Sequence, residues 1–263
     1  MILALGFCHK DYLAAEKLFQ WMVELDGQQA NHTLLLIAAK ALKPEQIQIV
    51  ERSARRAFHM VISRTTRVPD ERGWPVSSNT LFLSAYHEIK RMGGSPFLWL
   101  EADCVPLKPK WIDSLLGEYL GVGKPFMGCV YDCPWPHLTG VAIYPPDIGK
   151  YSPDVLKPGL RAWDMVDTDN TIKNAHHTGQ YHHEWGNFKY NIPPTFPNQA
   201  SLNIVREDAV LFHRCKDGSL IDRLRERKRW PKFCHIMAKF GKTGNRFQDF
   251  EDSHSPAGRY VGT

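Results

Sequence analysis

Over its first 120 residues the chain alternates apolar runs of strand length with segments whose apolar residues recur at helical spacing. Residues 2–8 form an apolar run suited to a buried parallel strand. In residues 10–25, Leu13, Ala14, Leu18, Met22 and Val23 recur at helical spacing, with Asp11 placed to cap the helix. Residues 33–39 read as a second strand. A second helix runs from Pro44, where proline is tolerated, to about Ala57. Residues 59–63 form a third strand. A polar loop over residues 65–76 then leads to a helix capped by Ser77 or Ser78 and carrying Leu81, Leu83, Ala85 and Ile89, which Gly93 and Gly94 stop. Residues 96–100 form a fourth strand, and a further helix follows over 110–120. This alternation predicts an α/β fold, a mainly parallel sheet with helices on both faces. Such sheets bind ligands at the carboxyl ends of their strands. The loops after Cys8, Ser63 and Leu100 therefore share the edge where a site is expected.

The second half is less regular. Residues 125–131 and 138–144 read as strands, separated by a rigid Cys133-Pro134-Trp135-Pro136 turn. Residues 151–200 are rich in Pro, His, Asn, Tyr and Trp with weak periodicity, which predicts loops and short helices. Residues 209–212 form a last short strand ending at His213.

The composition, 43% hydrophobic and 23% charged, excludes wholesale disorder. No apolar run reaches the ~18 residues of a membrane span. The apolar N-terminus has no basic leader or small-residue cleavage site, so it reads as a strand and the chain is expected in a cytoplasm. The six cysteines form no CxxC pair and no zinc spacing, which predicts reduced, mostly buried thiols. The net charge of +5 is unevenly placed: Arg223, Arg225, Arg227, Lys228, Arg229, Lys232, Lys239, Lys242 and Arg246 crowd the last quarter.

The chemistry-bearing feature is Glu101-Ala102-Asp103. It follows the apolar Phe97-Leu98-Trp99-Leu100 and precedes Val105-Pro106-Leu107. Two carboxylates at a buried strand end suit a hard divalent cation, Mg²⁺ or Mn²⁺. Such a cation can stabilise a diphosphate leaving group. With Gly73-Trp74-Pro75, Asn79 and Trp111-Ile112, this stretch resembles the core of the GT-A glycosyltransferases, across residues 1–145 in layout. The resemblance implies a GT-A, Rossmann-like sheet with an irregular C-terminal half, and transfer of a sugar from a nucleotide-sugar, most readily a UDP-sugar, to a hydroxyl. Glu101 stands where the family has its first Asp, so Asp103 is the stronger metal ligand. The family's late-strand His is matched by Val210-Leu211-Phe212-His213, with Lys216 placed for the diphosphate. Phe7 and His9 would face the nucleotide base, Arg64 a phosphate and Asn79 the donor, unless Asn79 caps its helix. Gly140 resembles the small-residue strand beside the donor sugar or acceptor. The implied division is 1–221 as the transferase domain, with 1–120 for the nucleotide-sugar and 121–221 for the acceptor, and 222–263 as a basic extension.

An inverting member needs a carboxylate base on the acceptor hydroxyl, whereas a retaining one requires no base of this kind. Asp164 leads, because Trp163 and Met165 flank it, ahead of Asp167 and Asp169. His176-His177 and His182-His183 do not match a standard zinc spacing, and aromatic acceptor loops are the stronger expectation there. In the basic segment 222–246, cations alternate with Trp230, Phe233 and Phe240, a pattern suited to nucleic acid. That pattern admits a hydroxymethylated pyrimidine in DNA as acceptor, as in phage-type DNA-modifying glycosyltransferases. A nucleotidyltransferase would want a Gly-rich phosphate loop after the first strand, and no glycine follows Gly6 there. A non-catalytic nucleic-acid-binding protein would account for the basic tail but not for the acidic motif.

Overall fold

The apolar run at the N-terminus forms β1 (Ile2–Phe7), from which the main sheet is built outwards on both sides. The computed structural model describes residues 1–67, 73–131, 136–183 and 207–229. The chain continues through α1 (Tyr12–Asp26), β2 (Gln29–Ala38), α2 (Pro44–Ala57), β3 (Phe58–Thr65), α3 (Val76–Arg91), β4 (Phe97–Leu100), β5 (Val105–Pro106) and α4 (Trp111–Val122). Next come β6 (Phe126–Tyr131), β7 (His137–Tyr144), α5 (Ile148–Tyr151), two 3-10 turns (Pro153–Leu156 and Trp163–Met165) and α6 (Thr168–Lys173). The described part closes with β8 (Ala175–His177), β9 (Tyr181–His183), β10 (Leu211–His213) and α7 (Ser219–Arg229). The Cys133-Pro134-Trp135 part of the proline turn, Trp230, Phe233, Phe240 and the basic residues from Lys232 onwards lie outside the described residues.

The main sheet has seven strands in the order β3-β2-β1-β4-β7-β6-β8, and only β7 runs against the rest. A smaller sheet has the order β5-β10-β9. In β1, Leu3, Ala4, Leu5 and Phe7 are fully buried, as a strand covered on both faces requires. A Cβ on Gly6 would meet Leu81 Cβ and Trp99 Cη2 at 2.8 Å each, so only glycine lets α3 approach β1 this closely. Phe7 points to the opposite face by strand alternation.

An aromatic cluster ties this sheet to the second half. Phe82 of α3 stacks on Trp163 with ring centroids 4.7 Å apart and packs against Tyr144 at 5.0 Å and Trp99 at 5.4 Å. Such rings supply large buried areas and directional contacts. The 3-10 turn that carries Trp163 is thereby seated on α3, β4 and β7.

Three local expectations are corrected. Asp11 occupies the cap position of α1, but its carboxylate accepts from the Cys8 N–H at 2.5 Å instead of from the helix. α3 begins at Val76, before Ser77 and Ser78, and the Ser78 hydroxyl donates back to the Pro75 carbonyl at 2.8 Å. The two His pairs lie on β8 and β9, not in loops. No helix among the described residues is long and apolar enough to cross a membrane. The chain divides into two compact units, Met1–Ile221 and Asp222–Thr263; of the second, residues 222–229 are described and are helical.

Candidate active site

β4 ends at the fully buried Leu100, and the chain turns at once, with Cys104 N–H donating to the Glu101 carbonyl at 3.1 Å. β5 follows and pairs antiparallel with β10, setting Phe212 opposite Val105. One step further along that register brings His213 beside Cys104. Cys215 N–H then donates to the Asp103 carbonyl at 2.9 Å, which docks the loop after β10 onto the acidic turn. The result is a cluster drawn from positions more than a hundred residues apart. His213 Nε2 lies 3.2 Å from Glu101 Oε2 and 3.6 Å from Asp103 Oδ1, and Lys216 Nζ lies 3.1 Å from Asp103 Oδ2.

The Asp103 side chain is 10% exposed, and both its oxygens are shielded from water without accepting a hydrogen bond. A buried carboxylate in that state demands a counter-charge. Lys216 supplies part of it, but its side chain is 69% exposed and the pairing is screened by solvent. Among the described residues, one group of three potential metal ligands comes together, Asp103, Cys104 and His213, with their ligand atoms within 4.8 Å of one another. Burial and the adjacent Asp103 push the Cys104 thiol well above the ordinary thiol range. Burial by itself would lower His213, but the Glu101 hydrogen bond and the two carboxylates leave its pKa raised. Oxygen from Asp103 and nitrogen from His213, beside a carboxylate that His213 and the exposed Lys216 offset only in part, fit a divalent cation. A cation held there would displace the imidazole proton, so its affinity would weaken as pH falls.

Asp164 sits in the Trp163–Met165 turn, half-buried between Trp163, which is 3% exposed, and Met165, which is 39% exposed. Burial, then the charge on Glu101, push its carboxyl up to about 6. The approach of Asp164 to Glu101 passes over Gly140 of β7. A Cβ there would meet Glu101 Oε1 at 2.9 Å, Trp163 Cζ2 at 3.1 Å and Asp164 Oδ2 at 3.4 Å. Gly140→Ala is therefore expected to keep the fold at a cost of about 1–3 kcal/mol while displacing the acid pair. Melting curves and turnover check it: activity should fall roughly tenfold or more, out of proportion to the change in stability.

The other predicted residues divide. His9 is exposed in the turn after β1, on the same strand-end edge as the acidic cluster. Asp11, expected only as a cap, lies close enough to Asp103 for the two charges to interact. Phe7 is fully buried in the core, so its side chain does not face a nucleotide. Arg64 is committed to Glu88 of α3 at 2.8 Å, and Glu88 also pairs with Arg91. That pairing ties one edge of the guanidinium to α3, while the Arg64 side chain remains 53% exposed. Asn79 is buried in the first turn of α3 and does not cap the helix; its amide bonds to the backbone around Trp163. Asp167 occupies the cap position of α6 without a side-chain bond to the helix backbone, and its carboxylate accepts from Ser152 and Asn170. Of the His pairs, His176 bonds Glu118 and His177 accepts from the Val130 N–H. His183 packs edge-on against the His213 ring at 5.0 Å, its pKa lowered to about 2 by burial and by His213, so a neutral ring braces the proposed ligand.

No protein-family model and no curated protein matches this sequence. Solved structures do match. Mouse xyloside xylosyltransferase 1 in its apo form is 13% identical, over 81% of this chain and 97% of that one, with a TM-score of 0.50. The apo bifunctional glycosyltransferase WbbM is 10% identical, over 81% of this chain but only 45% of that one, with a TM-score of 0.51. The glycosyltransferase GlyE of Streptococcus pneumoniae is 9% identical, over 89% of this chain and 63% of that one, with a TM-score of 0.51. At these identities the likeness is one of fold: the chain has the GT-A fold of these glycosyltransferases.

Proposed function

We propose that this chain is a divalent-cation-dependent hexosyltransferase that moves a sugar from a nucleotide-sugar, most readily a UDP-sugar, to a hydroxyl acceptor. One observation carries the reading: the buried Asp103 carboxylate, both oxygens without a hydrogen bond, lying between His213 and Lys216. Asp103 and His213 hold Mn²⁺ or Mg²⁺, with Glu101 beside them. A bound cation supplies positive charge against the diphosphate as the sugar–phosphate bond breaks. Lys216, exposed at the rim, binds a diphosphate oxygen. His9 lines the base side. Asp164 takes the proton from the acceptor hydroxyl and, as a base of raised pKa, is matched to that task near neutral pH. Residues 1–120 bind the donor, residues 121–221 shape the acceptor side, and a cytoplasmic location belongs to the same reading.

A thermal-shift screen tests this. UDP- and GDP-sugars, including UDP-glucose, UDP-galactose and UDP-xylose, are added with and without Mn²⁺. One nucleotide class should raise the melting temperature by roughly 5 °C or more when present at a hundredfold over its Kd, and only with the cation. A panel without any cation-dependent shift sinks the proposal.

For the acceptor, α7 favours a second, narrower reading. Its described turns carry Arg223, Arg225, Arg227 and Lys228, cations that suit the phosphates of DNA bearing a hydroxymethylated pyrimidine. Gel shifts with such DNA should show binding at low salt that weakens steeply as salt rises. No binding at low salt removes DNA as the acceptor and leaves the transferase reading intact.

A further inference from the structure

Asn79 is an unfavourable residue for a helix interior, yet it lies in the first turns of the 16-residue α3 and is 4% exposed. A buried amide must find partners for both its donor and its acceptor. Asn79 finds them across the fold. Its Nδ2 donates to the Arg161 carbonyl at 2.7 Å, and its Oδ1 accepts from the Trp163 N–H at 2.9 Å. Only one orientation of the amide satisfies both, because one partner is an acceptor and the other a donor.

These two bonds hold the backbone on either side of Ala162, immediately before Asp164. Phe82 lies one turn further along the same helix and stacks on the Trp163 ring at 4.7 Å. The Trp163 Nε1–H donates to the Tyr144 hydroxyl at 3.3 Å, which donates in turn to the Gly140 carbonyl at 2.9 Å. Residue 163 is thus held at its backbone by Asn79, at its ring face by Phe82 and at its ring edge by Tyr144. A three-residue 3-10 turn has almost no hydrogen bonding of its own to set its direction. The helix supplies it instead.

We infer that Asn79 is a positioning residue for Asp164: it fixes the backbone from which that carboxylate reaches over Gly140 towards Glu101. The inference rests on the reading of Asp164 as the base. The effect is one of geometry, since a misplacement of about 1 Å at a reacting group can cost on the order of 10²-fold in rate.

The test uses Asn79→Leu, nearly isosteric but without hydrogen bonds, and Asn79→Asp, which keeps the acceptor for Trp163 but turns an oxygen towards Arg161. Each is made in the wild-type and the Asp164→Asn backgrounds. UDP release is followed from UDP-glucose, UDP-galactose and UDP-xylose with Mn²⁺, Mn²⁺–UDP affinity by calorimetry, and exchange of the Trp163 amide by deuterium uptake. In the wild-type background kcat should fall roughly 10- to 100-fold, with Mn²⁺–UDP affinity within about twofold of wild type. In the Asp164→Asn background there should be no further loss beyond about twofold, because the two changes act through one group. Equal losses in both backgrounds would mean general damage and overturn the inference, as would wild-type kcat in both Asn79 variants, or an affinity loss as large as the rate loss. Failure of the base assignment reads differently: Asp164→Asn then turns over like wild type, while Asn79→Leu still accelerates exchange at the Trp163 amide. If Asn79→Leu does not fold, Asn79→Asp carries the same comparisons.

Discussion

Asp103→Asn is expected to abolish turnover and cation-dependent donor binding while leaving the metal-free protein about as stable as wild type. The two halves of this result have one cause. Asp103 holds a negative charge in a shielded place where neither oxygen accepts a hydrogen bond. Without a cation only His213 and the exposed Lys216 offset that charge, so an uncharged amide of the same shape is tolerated at little cost. With a cation the same charge is the grip on the ion. Loss of about 4 kcal/mol of transition-state stabilisation corresponds to roughly a 10³-fold fall in rate. Steady-state UDP release and paired melting curves with and without Mn²⁺ measure both halves. Turnover within about tenfold of wild type, or an unchanged Mn²⁺-dependent donor shift, would contradict the assignment.

Asp164→Asn should give the second large effect, a fall in kcat on the order of 10²–10⁴-fold with donor binding retained. Its pH signature separates a base from a mere contact. Burial and Glu101 raise the carboxyl from 3.8 to about 6, so the ionised form is lost as pH falls through about 6. Wild-type kcat should therefore show an acid limb there, moved lower by a bound cation, whose positive charge favours the carboxylate. The residual activity of Asp164→Asn should lack that limb. Stability runs in the opposite direction. The folded pKa lies above the unfolded one, so this group's contribution is fully present below about pH 4 and is lost as pH rises through about 6. Melting temperatures of wild type and Asp164→Asn should thus diverge across that window, and parallel curves would contradict the raised pKa.

Much of this site could be read from local pattern. The strand ending at Leu100 and the carboxylates after it are neighbours in the chain, and the sheet type says that strand ends carry ligands. Pro44 starts α2 as expected, and β1, β4 and β7 lie within one or two residues of their predicted bounds, because each is a largely apolar run of strand length. β8 and β9 have three residues each and no period to read; their neighbours in the sheets make them strands. Arg64 could be seen to stand near a ligand edge, but its commitment to Glu88 arises between elements and leaves no mark on either local sequence.

What the sequence determined by itself is therefore the α/β layout and the residue types gathered at one edge, since periods of 2 and 3.6 and the position of a charge after an apolar run are properties of adjacent residues. What only the tertiary structure decided is which of those residues meet. The β5–β10 register brought His213 to Asp103, and the fully buried side of β1 took Phe7 out of the site. The two bonds from Asn79 tied the first turn of α3 to the backbone on either side of Ala162. These are contacts between chemically ordinary residues set far apart in the chain or on opposite faces of one strand, and their selection depends on how whole elements pack.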